Sequence, residues 1–269
     1  MELNLEGKRA LITGSSSGIG VAIAEMLAAE GVSVVVNGRD SARVDAIAKR
    51  LADQGHRAAT ACGDLSTAKG CAAVAEAANA AFGRIDILVN NAGGSAASDS
   101  PNWFAYDTDQ WVETYQRNTL AAVRLIHAFA PEMKERGWGR IINISTAAAI
   151  TPTSGQADYG PAKAAMLNMS LGLSKALKQT GVTVNSVSPG MIRTEGLIKV
   201  LKKMADKHGW GDDLAKAEQY IAKGGGQTVN RIGEVRDIGY AVVMLASPRS
   251  DFINGINFHV DGGLSPSLS

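Results

Sequence analysis

Arg9-Ala10-Leu11-Ile12-Thr13-Gly14-Ser15-Ser16-Ser17-Gly18-Ile19-Gly20 is the stretch that decides how this chain folds. Its first five residues are a short apolar run with strand character, and Ile19 to Glu30 follows with helical patterning. The glycines between them allow a tight turn, close backbone approach to a pyrophosphate, and close helix–sheet packing. The helix N-terminus beyond them offers unpaired N–H groups and a partial positive charge to an anion. The spacing is Gly-x3-Gly-x-Gly rather than Gly-x-Gly-x2-Gly. At a first strand-to-helix turn it predicts dinucleotide binding, with Gly14, Ser16, Ser17, Gly18, Ile19 and Gly20 as the phosphate-loop contacts.

Outward from this turn, strand-length runs alternate with helical patterns. Further strands are expected at 32–37, 57–62, 85–90, 139–145, 182–188 and 257–260, and helices at 41–54, 67–82, 108–136, 158–180 and 237–246. Val32-Ser33-Val34-Val35-Val36-Asn37 is nearly continuous and β-branched, as a strand covered on both faces requires. Strand and helix in alternation make βαβ units, so the expected fold is α/β, a doubly wound parallel sheet of the Rossmann type. No internal boundary or repeat breaks the pattern, and 1–269 reads as a single domain.

Composition narrows the function. The 269 residues are 45% hydrophobic and 20% charged with a formal net charge of +1, which excludes the basic excess of a nucleic-acid binder. No run approaches the ~18 apolar residues of a membrane span. The start lacks the order of a signal peptide, and Cys62 and Cys71 form no disulfide framework or metal spacing. Buried thiols and a cytoplasmic location are expected. His56, His127, His208 and His259 are scattered, so no metal is expected either.

Two places speak to chemistry. At the end of the second strand stands Asn37-Gly38-Arg39-Asp40, with glycine where an NAD site places its acidic residue. Arg39 is next in line to pair with a 2′-phosphate, so NADP(H) is favoured over NAD(H). Farther along, Tyr159 and Lys163 are four residues apart and share a helix face. A cation held near a phenol favours the phenolate, making Tyr159 a candidate proton donor or acceptor.

Together these features resemble the short-chain dehydrogenase/reductase family, in its single-domain branch, over essentially the whole chain. The motifs are Thr13-Gly14-x3-Gly18-Ile19-Gly20, Asp64-Leu65, Asn90-Asn91-Ala92-Gly93, Asn118, Tyr159-x3-Lys163, Pro189-Gly190 and Asp261-Gly262-Gly263, in the family order. The 3-oxoacyl-[acyl-carrier-protein] reductase type looks nearest, from Gly155-Gln156-Ala157-Asp158-Tyr159 and the tail after Arg231.

The resemblance implies hydride transfer between NADP(H) and a ketone or secondary alcohol, with Asn118, Thr146, Tyr159 and Lys163 catalytic. Tyr159 would protonate the alkoxide, and Lys163 would hold the nicotinamide ribose and depress the Tyr159 pKa. Asn118 would hold a water in a proton relay. The family's substrate-holding serine lies thirteen residues before the tyrosine, which here is Thr146, with Ser145 as the alternative. Further cofactor contacts implied are Asp64, Leu65, Asn91, Ala92, Gly93, Pro189, Gly190, Ile192 and Thr194. Residues 195–230 resemble a substrate lid, longer than in the acyl-carrier-protein reductases, with Gly224-Gly225-Gly226 as a hinge. Trp103, Phe104, Tyr106, Leu197, Ile198, Leu201, Met204, Trp210 and Tyr220 would line a pocket for a hydrophobic small-molecule substrate, or pack the lid on the core. A homotetramer is implied, with a face such as Ala162, Ala165, Met169 and Leu173 packing across a dimer interface. Alternatives are an NAD-dependent alcohol dehydrogenase of the same family or a non-catalytic NADP-binding regulatory protein; an epimerase or dehydratase would need a larger C-terminal substrate domain.

Overall fold

The computed structural model describes residues 2–96, 102–153, 155–224 and 226–266; 97–101, just ahead of Trp103, and Gly225 of the hinge lie outside them. The elements run β1 (Arg9–Ile12), α1 (Gly18–Ala29), β2 (Ser33–Gly38), α2 (Ser41–Asp53), β3 (Ala58–Cys62), α3 (Ala68–Phe82) and β4 (Ile87–Asn90). They continue with α4 (Thr108–Tyr115), a π-turn (Gln116–Leu120), α5 (Ala121–Glu135), β5 (Gly139–Ile144), α6 (Tyr159–Ala176) and β6 (Val182–Pro189). α7 (Glu195–Lys207), α8 (Leu214–Gly224), α9 (Val235–Ala246) and β7 (Asn257–Val260) complete the order.

The strands form a parallel sheet in the order β3-β2-β1-β4-β5-β6-β7. This is the expected Rossmann arrangement. Alternate strand residues serve opposite faces. Ala10, Ile12, Val34 and Val36 join the core under α1, α2 and α9. Leu11 and Val35 join the core under α3, α5 and α6. Chain order reverses direction between β1 and β4, and ligands of such sheets bind at that switch, beyond the strand C-termini.

Two local features depart from expectation. The expected helix over 108–136 is interrupted by the π-turn, where the Asn118 Nδ2 donates to the Thr114 carbonyl at 2.7 Å. That carbonyl is the one the Asn118 backbone N–H would take in an α-helix, so the side chain displaces the ladder. Cys62 is exposed rather than buried, because β3 is an edge strand; Cys71 is buried. Among the described residues no helix is long and apolar enough to cross a membrane.

Candidate active site

The β1–α1 turn is fastened to its neighbours through Thr13, Ser15 and Asn37. Gly14 and Gly18 have φ of 64° and 54°, a region that favours glycine. Gly14 N–H donates to Asn37 Oδ1 at 3.1 Å, and Asn37 N–H donates to Ser15 Oγ at 3.0 Å. Thr13 Oγ1 accepts from the N–H groups of Asn91 and Ala92, both at 2.8 Å. The turn is thereby tied to the ends of β2 and β4. A Cβ on Gly20 would collide with Gly14 O and lie 2.7 Å from Asn91 Nδ2, so only glycine permits this approach. Ser17 caps α1 without a side-chain bond, which leaves the first N–H groups of the helix for a ligand.

A cleft of about 580 Å³ opens over this turn. Of the expected cofactor contacts, Gly14, Ser16, Ser17, Gly18, Ile19, Gly20, Arg39, Asp64, Leu65, Asn91, Ala92, Gly93, Tyr159 and Thr194 border it. Lys163, Pro189, Gly190 and Ile192 do not. Gly190 packs on the backbone of Asp261, where a Cβ would meet the Asp261 Cα at 2.7 Å, and Ile192 borders a second cleft under α9. Sequence reasoning missed Asn37, Gly63, Ser66, Arg117, Glu195, Gly196 and Lys199 on the cleft wall. Only Asn37 carried a signal, as a polar residue ending an apolar strand.

At the adenosine end, Gly38 has no space for a side chain. A Cβ there would collide with Ser16 Oγ and lie 2.9 Å from Val44 Cγ2. Arg39 borders the cleft beside it, and Asp40 is taken up in capping α2, accepting from Arg43 N–H at 3.2 Å. Asp64 accepts from Ser66 N–H at 3.0 Å, which first among the causes holds its carboxyl below the usual range, with Arg39 and Arg117 adding to it. Its carboxyl thus fastens the loop ahead of α3, which Thr67 caps, while bordering the cleft.

At the inner end, Lys163 is buried and its Nζ donates to the Ile144 carbonyl at 2.8 Å. The same Nζ lies 5.7 Å from the centre of the Tyr159 ring. Burial pushes the ammonium down to about 7. The Tyr159 phenol is pushed up to about 12 by burial, although part of the side chain still faces the cleft. This corrects the expected downward shift: desolvation outweighs the nearby cation, because Lys163 is itself desolvated. Asn118 is buried and clamps Gly94, donating to its carbonyl at 2.9 Å and accepting from its N–H at 3.1 Å. Ser145 is buried with its hydroxyl on the Lys163 carbonyl at 3.2 Å. Thr146 is more open, and its Oγ1 accepts from Ala148 N–H at 3.3 Å, which leaves its proton to give.

Gly93 lies between these groups. A Cβ on it would collide with Asn118 Oδ1 and lie 3.0 Å from Lys163 Nζ. We expect Gly93→Ala to displace one or both, and to lower turnover by about 10²-fold, the order of loss from an ångström of misplacement. Steady-state kinetics with an unchanged circular dichroism spectrum is the check; turnover within about threefold of wild type would refute the crowding argument.

The pattern of the short chain dehydrogenases matches residues 8–205. The chain belongs to the short-chain dehydrogenases. This dehydrogenase is 36% identical over 274 residues to the uncharacterized oxidoreductase YvaG of Bacillus subtilis, with 100% of each chain covered. It is 34% identical to the 3-oxoacyl-[acyl-carrier-protein] reductase FabG of Vibrio cholerae, covering 97% of this chain and 99% of that one. Among solved structures, L-sorbose reductase from Gluconobacter frateurii, complexed with NADPH and L-sorbose, superimposes with a TM-score of 0.93 at 33% identity, with 100% of both chains covered. The protein is therefore an NAD(P)-dependent oxidoreductase of this family.

The lid and its surroundings differ from a pocket lining. Leu201, Ala205, Ala217 and Ile232 form a small core, with Met191, Leu197, Met204 and Trp210 packed on it. Much of the apolar surface of α7 and α8 is thus buried between them, while Val200 and Tyr220 stay exposed. Trp103 and Phe104 are 51% and 87% exposed, while Tyr106 is buried with its hydroxyl accepting from Gln156 N–H at 2.9 Å. Ala162 is buried within the chain, its carbonyl accepting from Thr119 Oγ1, while Ala165, Met169 and Leu173 are partly buried, the last two packing on the core under α6.

Proposed function

We propose that the enzyme reduces a ketone to a secondary alcohol with NADPH, using Tyr159 as proton donor. The observation that supports this best is the convergence of Tyr159, Lys163, Asn118 and Gly93 at the inner end of a glycine-cradled cleft. The cradle fits the cofactor: the open α1 N-terminus suits a pyrophosphate, and the close approaches at Gly14 and Gly20 leave backbone facing it. NADPH, when bound, supplies the hydride.

The chain's own residues do the rest. Thr146 Oγ1 donates to the carbonyl oxygen and orients it. The Tyr159 phenol, kept protonated by burial, gives its proton to that oxygen. Lys163 steadies the resulting phenolate when it carries its proton. Asn118 holds Gly94 and thereby the mouth of the site.

The preference for NADPH rests on Arg39 and on the closed Gly38 position. A charged hydrogen bond contributes ~1.5–3 kcal/mol, so Arg39→Ala should raise KM for NADPH by roughly 10–10²-fold. KM for NADH should stay within about threefold on the same argument. Equal losses with both cofactors would refute the assignment.

For the substrate, we favour a small polar ketone over a hydrophobic one, because the lid's apolar side chains pack on one another. L-Sorbose in the similar reductase is of that class. The FabG resemblance supports a second reading, a 3-oxoacyl thioester. Following NADPH oxidation over ketoses, simple ketones and 3-oxoacyl thioesters tests both. Tight NADPH binding without turnover of any ketone would instead support the non-catalytic regulatory reading.

A further inference from the structure

We propose that Asp158 is a positioning residue of this enzyme, locking the segment Gly94-Ser95-Ala96 and α4 onto the first turn of α6 so that Tyr159 is held against its substrate. The inference rests on the proposed role of Tyr159 as proton donor.

Asp158 immediately precedes Tyr159 and is 0% exposed. At the N-terminus of a helix its carboxylate would ordinarily bond the first backbone N–H groups. Here it makes no capping bond. It turns instead to two distant hydroxyls: Ser95 Oγ donates to its oxygens at 2.9 and 2.8 Å, and Thr114 Oγ1 donates to Oδ2. Thr114, itself 0% exposed, accepts from Ala96 N–H at 2.8 Å on the same hydroxyl. Its backbone carbonyl accepts from the Asn118 amide at 2.7 Å, and Asn118 in turn clamps Gly94.

The result is a continuous network from Asp158 through Thr114 to Asn118, with three consecutive residues fastened on its way. Gly94, at φ 147°, has a backbone conformation that a side chain would strain, so this segment needs external fastening. Arg117 adds a bond to the Ser95 carbonyl at 3.3 Å, and Tyr106 bonds the Gln156 N–H just ahead of Asp158, where Gln156 has φ 58°. Of the two positive-φ positions, Gln156 is a non-glycine residue, three positions before Tyr159.

A carboxylate suits this position for a directional reason. It only accepts, so both hydroxyls must donate to it. That fixes the Thr114 O–H toward Asp158 and leaves its lone pairs to Ala96 N–H. An amide at the same position carries an N–H that would donate to one hydroxyl, leaving that hydroxyl's own proton without its acceptor and loosening the tie between Asp158 and its partner. A buried carboxylate is costly to keep, and such a local violation fits a functional site better than a stabilising one.

The test compares Asp158→Asn, Thr114→Val and Thr114→Ser in the full chain, with turnover, KM, NADPH affinity by nucleotide fluorescence, and melting temperature. With ~10²-fold as the scale of an ångström's misplacement, Asp158→Asn and Thr114→Val are expected to lower kcat by roughly 10–10²-fold, while NADPH affinity stays within about twofold. Thr114→Ser keeps the hydroxyl and should hold kcat within about threefold of wild type. The proposal is overturned if both deleterious variants keep kcat within about threefold, or if Thr114→Ser falls as far as Thr114→Val. A loss of NADPH affinity in parallel with kcat also overturns it, because the network would then serve the cofactor. Should Tyr159→Phe retain full activity, the proton-donor reading fails and this proposal with it. If Tyr159→Phe is inactive and Asp158→Asn is not, only the assignment of Asp158 fails.

Discussion

Tyr159→Phe is expected to lower kcat for ketone reduction by ~10²–10⁴-fold, the usual contribution of a positioned general acid. The substitution removes one oxygen and keeps the ring that packs at the inner end of the cleft, so NADPH affinity should change by less than about threefold. The pH profile carries the same argument. Burial pushes the phenol up to about 12, so it remains protonated through neutral pH and stays competent as a donor. Lys163 is pushed down to about 7 by burial, so its charge is lost as pH rises through about 7. The charge that would steady the phenolate is then present only on the acid side. Reduction should accordingly be fastest below about pH 7 and decline above it, whereas Tyr159→Phe leaves a small, flat residual rate. A profile of the wild type that rises through pH 7 would refute this assignment of groups.

Lys163→Met should separate activity from stability. Loss of the ammonium beside Tyr159 is expected to lower kcat by about 10²-fold or more, as for other groups that support proton transfer. Stability should move the other way. The folded Lys163 titrates near 7 against 10.5 for an unhindered lysine. Between those values the unfolded chain holds a proton that the folded chain has shed, so wild-type stability rises with pH across that window. Below about 7 the folded chain must carry a buried ammonium, and the full penalty applies. Methionine removes this penalty and keeps most of the volume, at the cost of the bond to the Ile144 carbonyl. At pH 6 the variant should melt higher than wild type, by roughly 2–4 °C per kcal/mol relieved in a chain of this size. That gap should close as pH approaches 10. A variant that melts lower at pH 6, with no dependence on pH, would show that Lys163 stabilises the fold as an ion.

Much of the site was legible because its signals are short-range. The glycine turn, the end of β2 and the Tyr159–Lys163 pair each lie within one βα unit, and the turn, the end of β2 and Tyr159 border one cleft. Legibility ended where the environment sets the property. The downward shift expected for Tyr159 rested on a nearby cation, and burial of the phenol pushes it the other way. The aromatic and apolar residues of 195–230 read equally as a pocket or as a lid core, since periodicity reports that a face is buried and not what covers it. In the structure Leu197, Leu201, Met204 and Trp210 pack into one small core, while Val200, Tyr220 and Val229 stay exposed.

The sequence by itself determined the doubly wound parallel sheet, the phosphate turn and the pairing of Tyr159 with Lys163. Strand and helix periods, glycine positions and an i, i+4 spacing are all properties of neighbouring residues. Only the tertiary structure decided which hydroxyl is buried at 145 and 146, why Asn118 breaks its helix, and what Asp158 does. Asp158 meets partners 44 and 63 positions away in the chain, and no local pattern encodes such a meeting. It exists because the sheet brings the ends of β4 and β5 together, and because close packing at that edge leaves a carboxylate no water to turn to.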